Sequence, residues 1–329
     1  MDTIKSRELY IQKIIEVVPP HIKPVNFLME TLGISRVSAY RRLNCQLPFT
    51  YDEIIILSSK LEFSLDEILH TNKDKEKGIF IFQHYEGTNP QRYFLEIMKS
   101  IYQNLREQNR ADNRSAVLSI NYVWLVYVFG FDNLLKFYYY KWLYQSSSHS
   151  QKLVFSEISL SSEIIELSHL IRTEVQLLKN NISIIDKRIF FSVIEDIQYY
   201  YRRNIFGKEE LIKIKNDLEN LIEYTASHVM KGRNEKGEFR AFYLSALNLY
   251  SNSLYTEYDD RFDSFFYEFN INPFKTNNIN ICTAHKKWFE SIMKSSVLMT
   301  ASNEALQIDF FNKQRKYLND LINNRDLLL

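Results

Sequence analysis

Three arginines and two serines stand close together near the start of this 329-residue chain. They are Arg36, Arg41 and Arg42, with Ser35 and Ser38. A guanidinium group forms paired hydrogen bonds with phosphate or with the edge of guanine, and a serine hydroxyl can bond to either. No acidic residue interrupts this stretch. Its residue types therefore indicate binding of phosphate and base edges, provided that the backbone turns them to one side.

A helix-turn-helix would position these side chains. Apolar residues recur at helical spacing from Phe27 to Leu32, which predicts a short amphipathic helix before Gly33. Glycine tolerates the left-handed backbone conformation that ends a helix. Ser35 then stands where an N-cap belongs, because its hydroxyl can accept a hydrogen bond from an amide of the next turn. The sequence therefore predicts a second helix that ends at Leu43.

The second helix is expected to divide into an apolar face and a polar face. The residues expected to pack inward are Val37, Ala39, Tyr40 and Leu43. The residues expected to point outward are Ser35, Arg36, Ser38, Arg41 and Arg42. In a helix-turn-helix the second helix lies in the major groove of double-stranded DNA. The candidate DNA-binding residues are therefore Ser35, Arg36, Ser38, Tyr40, Arg41 and Arg42, together with Lys23 just before the first helix. A solvated helix face is the plainer alternative.

Further helices are expected on both sides of this pair. Apolar spacing from Leu9 to Val18 predicts one helix before it. Thr50 and Glu53 form a capping-box pattern at the start of a helix that ends at Leu61. The same capping pattern in 63–69 predicts a fifth, short helix.

Three segments of this region resemble the repressor-type helix-turn-helix family, which has a lambda repressor-like fold. They are 33–35, 39–43 and 63–69, and the variant that they look most like is that of one-component regulators from Bacteroidetes. The resemblance implies a five-helix DNA-binding domain and a role in transcription regulation. The sequence departs from the family pattern at Met29, where a small residue is usual, and at Arg42, where many members keep an apolar residue.

The rest of the chain is long enough for a second, larger domain. We predict a helix-turn-helix domain over 1–70, a polar linker over 71–78 and a mostly helical effector or dimerisation domain over 79–329. In the last of these, helices are predicted at 90–108, 133–144, 161–179, 187–204, 208–231, 284–295 and 307–323. Strand patterns are fewer and lie at 79–82, at 116–120 and in a β-hairpin over 255–269. The expected fold class is therefore mainly α, with an α+β C-terminal domain that contains a β-hairpin.

The charge balance argues against a protein that binds any polyanion without sequence preference. The net charge is +1, and residues 1–75 contain ten Lys or Arg and ten Asp or Glu. One recognition helix should then bind DNA weakly, so a homodimer is expected. The edge of the hairpin at 255–269 is one candidate dimer contact. The leucine seam of helix 208–231 is another, although its spacing favours pairing inside the chain.

No arrangement typical of an enzyme stands out, so no catalytic residue, cofactor or metal is assigned. Cys282 and His285 are three residues apart but lack further ligands. The residues of 199–203 point in different directions around a helix, which argues against a single base-stacking platform. The charged loop 231–238 could border a ligand site or could be merely solvated.

The most apolar run, from Tyr122 to Phe131, is too short to cross a bilayer. Two distant cysteines and the lack of a signal peptide indicate the cytoplasm. We therefore expect a sequence-specific DNA-binding transcription regulator whose C-terminal domain senses a small-molecule or protein effector, or forms the dimer. A helical protein-interaction adaptor that does not bind DNA is the alternative.

Overall fold

The computed structural model describes residues 3–19, 22–61, 63–65, 68, 80–82, 89–146, 153–269, 271–301 and 303–322. The chain divides into two compact units, Met1–Ile79 and Phe80–Leu329. Each unit has its own hydrophobic core. The predicted linker 71–78 lies outside the described residues, as do residues 66, 67 and 69 of the predicted fifth helix at 63–69.

Four described helices of the first unit surround a small core. They are α1 (Thr3–Val17), α2 (Pro24–Leu32), α3 (Arg36–Leu43) and α4 (Tyr51–Lys60). Ile14, Leu28, Ala39 and Leu57 are fully buried between these helices. Phe63 joins the same core from beyond α4. Each helix thus contributes one side chain to a common centre, which fixes the position of α3.

The second unit is built on a mixed sheet of eight described strands. In chain order, β1 to β8 are Ile81–Phe82, Arg114–Ile120, Asn181–Ile185, Arg240–Ser245, Asn252–Tyr258, Arg261–Phe269, Asn272–Thr276 and Ser296–Leu298. Their order across the sheet is β1-β7-β6-β5-β2-β3-β4-β8. Strands β2, β3 and β4 are parallel to one another, and the other neighbouring pairs are antiparallel.

The described α-helices of this unit share hydrophobic cores with the sheet. In chain order, α5 to α12 are Pro90–Arg110, Leu125–Val128, Asp132–Ser146, Ser162–Leu177, Ile189–Arg202, Lys208–Lys231, Ile279–Lys294 and Glu304–Ile322. Side chains alternate along the strands. Leu118 and Phe242 therefore join the larger core with α10, whereas Val117 and Tyr243 join a smaller core with α11. Among the described helices, none has both the length and the apolar character of a membrane span.

The predicted fold class, mainly α with one β-hairpin, is wrong for this unit, because the described residues include the large mixed sheet. Strands β3, β4, β7 and β8 were not predicted from the sequence. Strand β3 reads Asn-Ile-Ser-Ile-Ile and is covered on both faces. The alternation of polar and apolar residues in β3 covers only 181–184, which is too short to distinguish a strand from a loop, and β4 has no alternation. The partner strands of β3 and β4 are also distant in sequence, so pairing with a neighbour in the chain does not identify them.

The longer helices and the hairpin are confirmed. Helix 208–231 has the predicted bounds, and the other predicted helices overlap α5, α7, α8, α9, α11 and α12. The hairpin consists of β5 and β6 around Asp259 and Asp260. The predicted strand at 116–120 lies within β2. Local sequence patterns therefore predicted the longer helices, the hairpin and one central strand of the sheet.

Both candidate dimer contacts are used inside the second unit. Strand β5 pairs with β2 as well as with β6, and β6 pairs with β7, so the hairpin has no free edge among the described strands. The prediction that this edge pairs between subunits is therefore wrong. The seam of α10 is buried in the core of its own unit, as the preferred interpretation expected. Its residues are Leu211, Ile214, Leu218, Leu221 and Val229.

A buried histidine joins α11 to the sheet. His285 Nδ1 lies 3.0 Å from Ser264 Oγ, and His285 Nε2 lies 3.2 Å from Ser253 Oγ. Burial lowers the pKa of His285 to about 4. The Cys282 thiol donates separately to the Thr276 carbonyl oxygen at 3.5 Å. The spacing of Cys282 and His285 therefore serves the packing of α11 on the strands.

We expect acid to destabilise the second unit through His285. Its imidazole binds a proton near pH 6.5 in the unfolded chain but only near pH 4 in the folded chain, so stability falls as the pH drops through this window. Between pH 7 and pH 5 the loss from this group is about 2 kcal/mol. Urea unfolding followed by tryptophan fluorescence measures it, because all three tryptophans of the chain belong to this unit.

The variant His285→Gln provides the comparison. It should be less stable than the natural protein at pH 7, because Ser253 and Ser264 lose their partner. On acidification to pH 5 it should lose about 2 kcal/mol less, because it has no imidazole to protonate. The same pH dependence in both proteins would contradict a buried neutral imidazole.

Candidate nucleic-acid interface

Helices α2 and α3 meet through a tight turn. Gly33 has φ +65°, and its N–H donates to the Met29 carbonyl oxygen, so α2 ends in the left-handed conformation expected for glycine. Ser35 Oγ accepts a hydrogen bond from the Ser38 N–H at 3.3 Å and caps α3. The two short helices are thus joined by a three-residue connection that contains glycine, as expected for a helix-turn-helix.

One face of α3 is exposed and contains two arginines. Arg36, Val37, Tyr40 and Arg41 are all exposed, and helical spacing places them on one stripe. We call these four residues the α3 stripe. Val37 is 70% exposed and Tyr40 is 48% exposed, so the prediction that both pack inward is wrong. The guanidinium carbon of Arg36 lies 5.9 Å from the centre of the Tyr40 ring.

Arg42 points in the opposite direction, into the first unit. Its Nη2 donates to Glu53 Oε1 at 2.7 Å and its Nε donates to Glu53 Oε2 at 3.1 Å, which is a bidentate ion pair. Its Nη1 donates to the carbonyl and hydroxyl oxygens of Ser38. The prediction that Arg42 points outward is wrong, because Ala39, Arg42 and Leu43 form the inward stripe of α3. Glu53 supplies the opposite charge.

Glu53 also caps the start of α4. Its carboxylate accepts a hydrogen bond from the Thr50 N–H at 2.8 Å, and Thr50 Oγ1 accepts one from the Glu53 N–H at 3.3 Å. This is the predicted capping box. Burial raises the pKa of Glu53, but the hydrogen bonds from Arg42 and Thr50 outweigh that effect and the pKa is lowered. An ionised Glu53 therefore ties α3 to the first turn of α4.

The other candidate residues lie at helix N-termini. Lys23 and Ser35 are exposed at the N-caps of α2 and α3. The first amides of a helix carry partial positive charge and favour anions.

Of the seven predicted DNA-binding residues, Ser38 and Arg42 bond to each other. The structure leaves five exposed to solvent, namely Lys23, Ser35, Arg36, Tyr40 and Arg41.

The aromatic and basic segment 199–203 forms no second interface for bases. Tyr200 is buried, whereas Tyr199 is 46% exposed. The planes of their two rings meet at 88°, so a base stacked on one ring could not lie flat on the other. Arg203 packs over the Tyr199 ring, with its guanidinium carbon 4.4 Å from the ring centre. The expectation that these residues form no common platform is confirmed.

The α3 stripe combines charged, hydrogen-bonding and apolar groups on a single helix face. It offers two guanidinium groups, one phenol and the two methyl groups of Val37. These groups can bond to phosphate or base edges and can contact another methyl group.

Comparison with protein families, with curated proteins and with solved structures finds no match for this chain.

We expect the Arg42–Glu53 pair to stabilise the first unit and Arg41 to have little effect on stability. The variant Arg42→Ala leaves the Glu53 carboxylate without its partner, so this unit should lose on the order of 3 kcal/mol. Arg41→Ala removes the same charge from an exposed position and should change stability by less than about 0.5 kcal/mol. Amide hydrogen exchange of residues 24–60 in the full chain measures both. Equal exchange rates in the two variants would show that Arg42 is not a buried ion-pair partner.

Proposed function

We propose that this chain is a sequence-specific DNA-binding transcription regulator and that the α3 stripe enters the major groove. The supporting observation is that Arg36 and Arg41 share the exposed face of a capped helix that follows a glycine turn, while Arg42 is held inside. Arg36 and Arg41 can pair with guanine or phosphate, and Val37 can contact the methyl group of thymine. Lys23 would contact the phosphate backbone.

The buried contacts that hold α3 in place suit a helix that reads DNA bases. Base readout needs side chains that are held by a rigid scaffold. Ala39 is fully buried on the inner side of α3, and the Arg42–Glu53 pair fixes the rotation of this helix. The likeness of segments 33–35, 39–43 and 63–69 to repressor-type regulators of Bacteroidetes adds to the proposal. We place such a regulator in the cytoplasm, together with the bacterial chromosome.

We infer that the protein acts as a homodimer. One α3 helix contacts only a few base pairs, and the net charge of +1 supplies little general attraction to DNA. A two-fold pair reads two half-sites and adds their binding energies. Because the hairpin and the α10 seam are used inside the second unit, other surfaces must form the dimer contact.

A protein-interaction adaptor is the second candidate, and the exposed apolar side chains of the first unit favour it. Tyr51 is 74% exposed and Ile55 is 44% exposed, one helical turn apart on α4. A protein partner would cover such side chains. Salt separates the two candidates, because DNA binding releases counterions and weakens steeply with salt, whereas an apolar interface does not.

The first test concerns the two exposed arginines. Arg36→Ala and Arg41→Ala should each weaken binding to a site selected from genomic fragments, by about 1 to 3 kcal/mol for an arginine that pairs with a base. Arg7→Ala is the matched control, because Arg7 is exposed on α1 of the same unit and has the same charge. Fluorescence anisotropy with the full chain, at several salt concentrations, measures the affinities.

Three outcomes of this test are decisive. A loss confined to the α3 variants, with a steep salt dependence for the natural protein, supports DNA readout. Losses no larger than that of Arg7→Ala would contradict the α3 stripe. A selection that yields no site, together with a protein partner lost in Tyr51→Ala and Ile55→Ala, would favour the adaptor.

The second test concerns the dimer. The selected sites should contain two half-sites about one helical turn apart, roughly 34 to 36 Å along the duplex. Sedimentation equilibrium of the full chain should show two copies for each site. A monomer both without and with the selected DNA would refute the homodimer.

A further inference from the structure

A cavity of about 50 Å³ lies inside the second unit, beside the amino ends of β3 and β4. Helices α8 and α10 line it, and the charged loop 231–238 reaches it through Asn234. A volume of this size holds roughly three to five water-sized groups. Polar and apolar side chains from separate parts of the chain meet there, so the cavity has the mixed lining of a small-molecule site.

Arg172 of α8 lines this cavity without a bonding partner of its own. Its guanidinium carbon lies 4.3 Å from the centre of the Phe131 ring and 4.6 Å from the centre of the Tyr224 ring. Contacts with ring faces supply no oxygen acceptor to the five N–H donors of the guanidinium group. Among the described residues, no oxygen accepts a hydrogen bond from this group and no carboxylate pairs with it. Its donors are therefore available to a ligand.

The backbone near Arg172 also fits this arrangement. Gly130 has φ +82°, and a Cβ atom at this position would collide with Cδ of Arg172. The N–H of Gly130 donates to Ser168 Oγ at 2.8 Å, which fixes the segment against α8. A glycine at this point therefore leaves the space in which the Arg172 side chain extends.

Arg240, the other arginine of the lining, is already satisfied. Its Nη1 donates to the carbonyl oxygens of Leu178 at 2.7 Å and Phe239 at 2.9 Å, and its Nη2 donates to that of Val175 at 3.0 Å. Two of these carbonyls stand at the C-terminal end of α8, where the partial charge is negative. This arrangement holds Arg240 but supplies no full negative charge. None of the described lining residues is Asp or Glu, so the cavity favours an anion.

Uncharged polar groups complete the polar part of the lining. Burial lowers the pKa of His228 to about 4, so at neutral pH its imidazole offers one donor and one acceptor. Ser183 Oγ lies 3.3 Å from Tyr127 Oη. Gln176 Nε2 lies 3.4 Å from Tyr224 Oη and donates to Glu235, which is outside the lining. These groups can bond to an anion or to a neutral substituent beside it.

The rest of the cavity lining is apolar, and this apolar wall determines which kind of anion the cavity suits. Its side chains are Val126, Phe129, Phe131, Val175 and Phe242. Inorganic phosphate would place its oxygens against this wall, with one unpaired guanidinium to meet its charge. A short organic acid would place one carboxylate on Arg172 and its carbon chain on the wall. The lining therefore suits the organic acid better.

We propose that this cavity binds a small organic monocarboxylate, with the carboxylate on the edge of Arg172 and the carbon chain against Phe129 and Phe242. The cavity would be the effector site of the regulator proposed above. The regulatory consequence rests on that proposed function, whereas ligand binding by the second unit does not.

Propionate is the probe, because it has one carboxylate and a short carbon chain that fit the volume. Isothermal titration of the full chain should show saturable binding of one propionate for each chain. Propionamide, which has the same shape without the charge, and inorganic phosphate should each bind at least tenfold more weakly. Absence of saturable propionate binding overturns the proposal, and so does phosphate binding that is equal or tighter.

Matched variants identify the arginine that carries the binding. Arg172→Met keeps the length of the stem without the charge and should weaken propionate binding at least tenfold. Arg203→Met is the control, because Arg203 also packs over a tyrosine ring but lies outside the cavity. Its affinity for propionate should equal that of the natural protein. Unchanged binding by Arg172→Met, or an equal loss in both variants, overturns the assignment.

Arg172→Lys keeps the test decisive where Arg172→Met fails to fold, as judged by tryptophan fluorescence. Lysine keeps the charge but loses the paired donors, so its propionate affinity should fall below that of the natural protein. A lysine variant that folds and binds propionate as tightly as the natural protein overturns the paired contact. One that folds and binds no propionate at all shows that charge alone is not enough, and supports the paired contact.

The proposed DNA binding and the proposed carboxylate site can be refuted independently of each other. Propionate titration contains no DNA, so a protein that never binds DNA can still pass it. A protein that binds its selected DNA site but no propionate refutes the ligand alone. A shift in DNA affinity at saturating propionate, absent in Arg172→Met, supports the effector role, and an unchanged DNA affinity refutes that role.

Discussion

A guanidinium group inside a protein needs acceptors for its five N–H donors, and this requirement links the main features of both units. In the first unit Glu53 meets it for Arg42 with a bidentate pair. In the second unit the backbone carbonyls at the end of α8 meet it for Arg240. Arg172 is only half-buried, has no such acceptor among the described residues, and adjoins a cavity. Arg42 and Arg240, whose donors have acceptors, stabilise the fold. For Arg172, whose donors have none in the described part of the chain, we infer a ligand.

The pairing of Arg42 determines what α3 presents to solvent. Residues three and four apart share a helix face, so an inward Arg42 turns Arg36, Tyr40 and Arg41 outward. An apolar residue at the position of Arg42 would give the same rotation by burial alone. Here the rotation also depends on Glu53 at the start of α4. The Arg42–Glu53 pair thereby determines which residues of α3 are exposed, although neither of the two residues lies on the exposed face.

The sequence predicted the first unit better than the second because its signals are local. Gly33, Ser35 and the Thr50–Glu53 capping box act within one turn of themselves, and each lies where it was predicted. Strands β3 and β4 are held by partners more than fifty residues away along the chain, and no local period reveals them. At the candidate interface, Ala39 and Arg42 are three residues apart and share the inward face of α3 in the structure. The charge of Arg42 argued against that, and only the folded position of Glu53 resolves the conflict.

Ligand binding in one unit can affect DNA binding by the other only through an equilibrium that both reactions share. Each unit has a separate core, so a carboxylate beside Arg172 does not change the contacts of Ala39 or Arg42 directly. A monomer–dimer equilibrium is one that both reactions can share, because two half-sites need two chains. A ligand with equal affinity for monomer and dimer would shift nothing. Linkage is also reciprocal, so DNA must change the affinity for the carboxylate by the same factor by which the carboxylate changes the affinity for DNA.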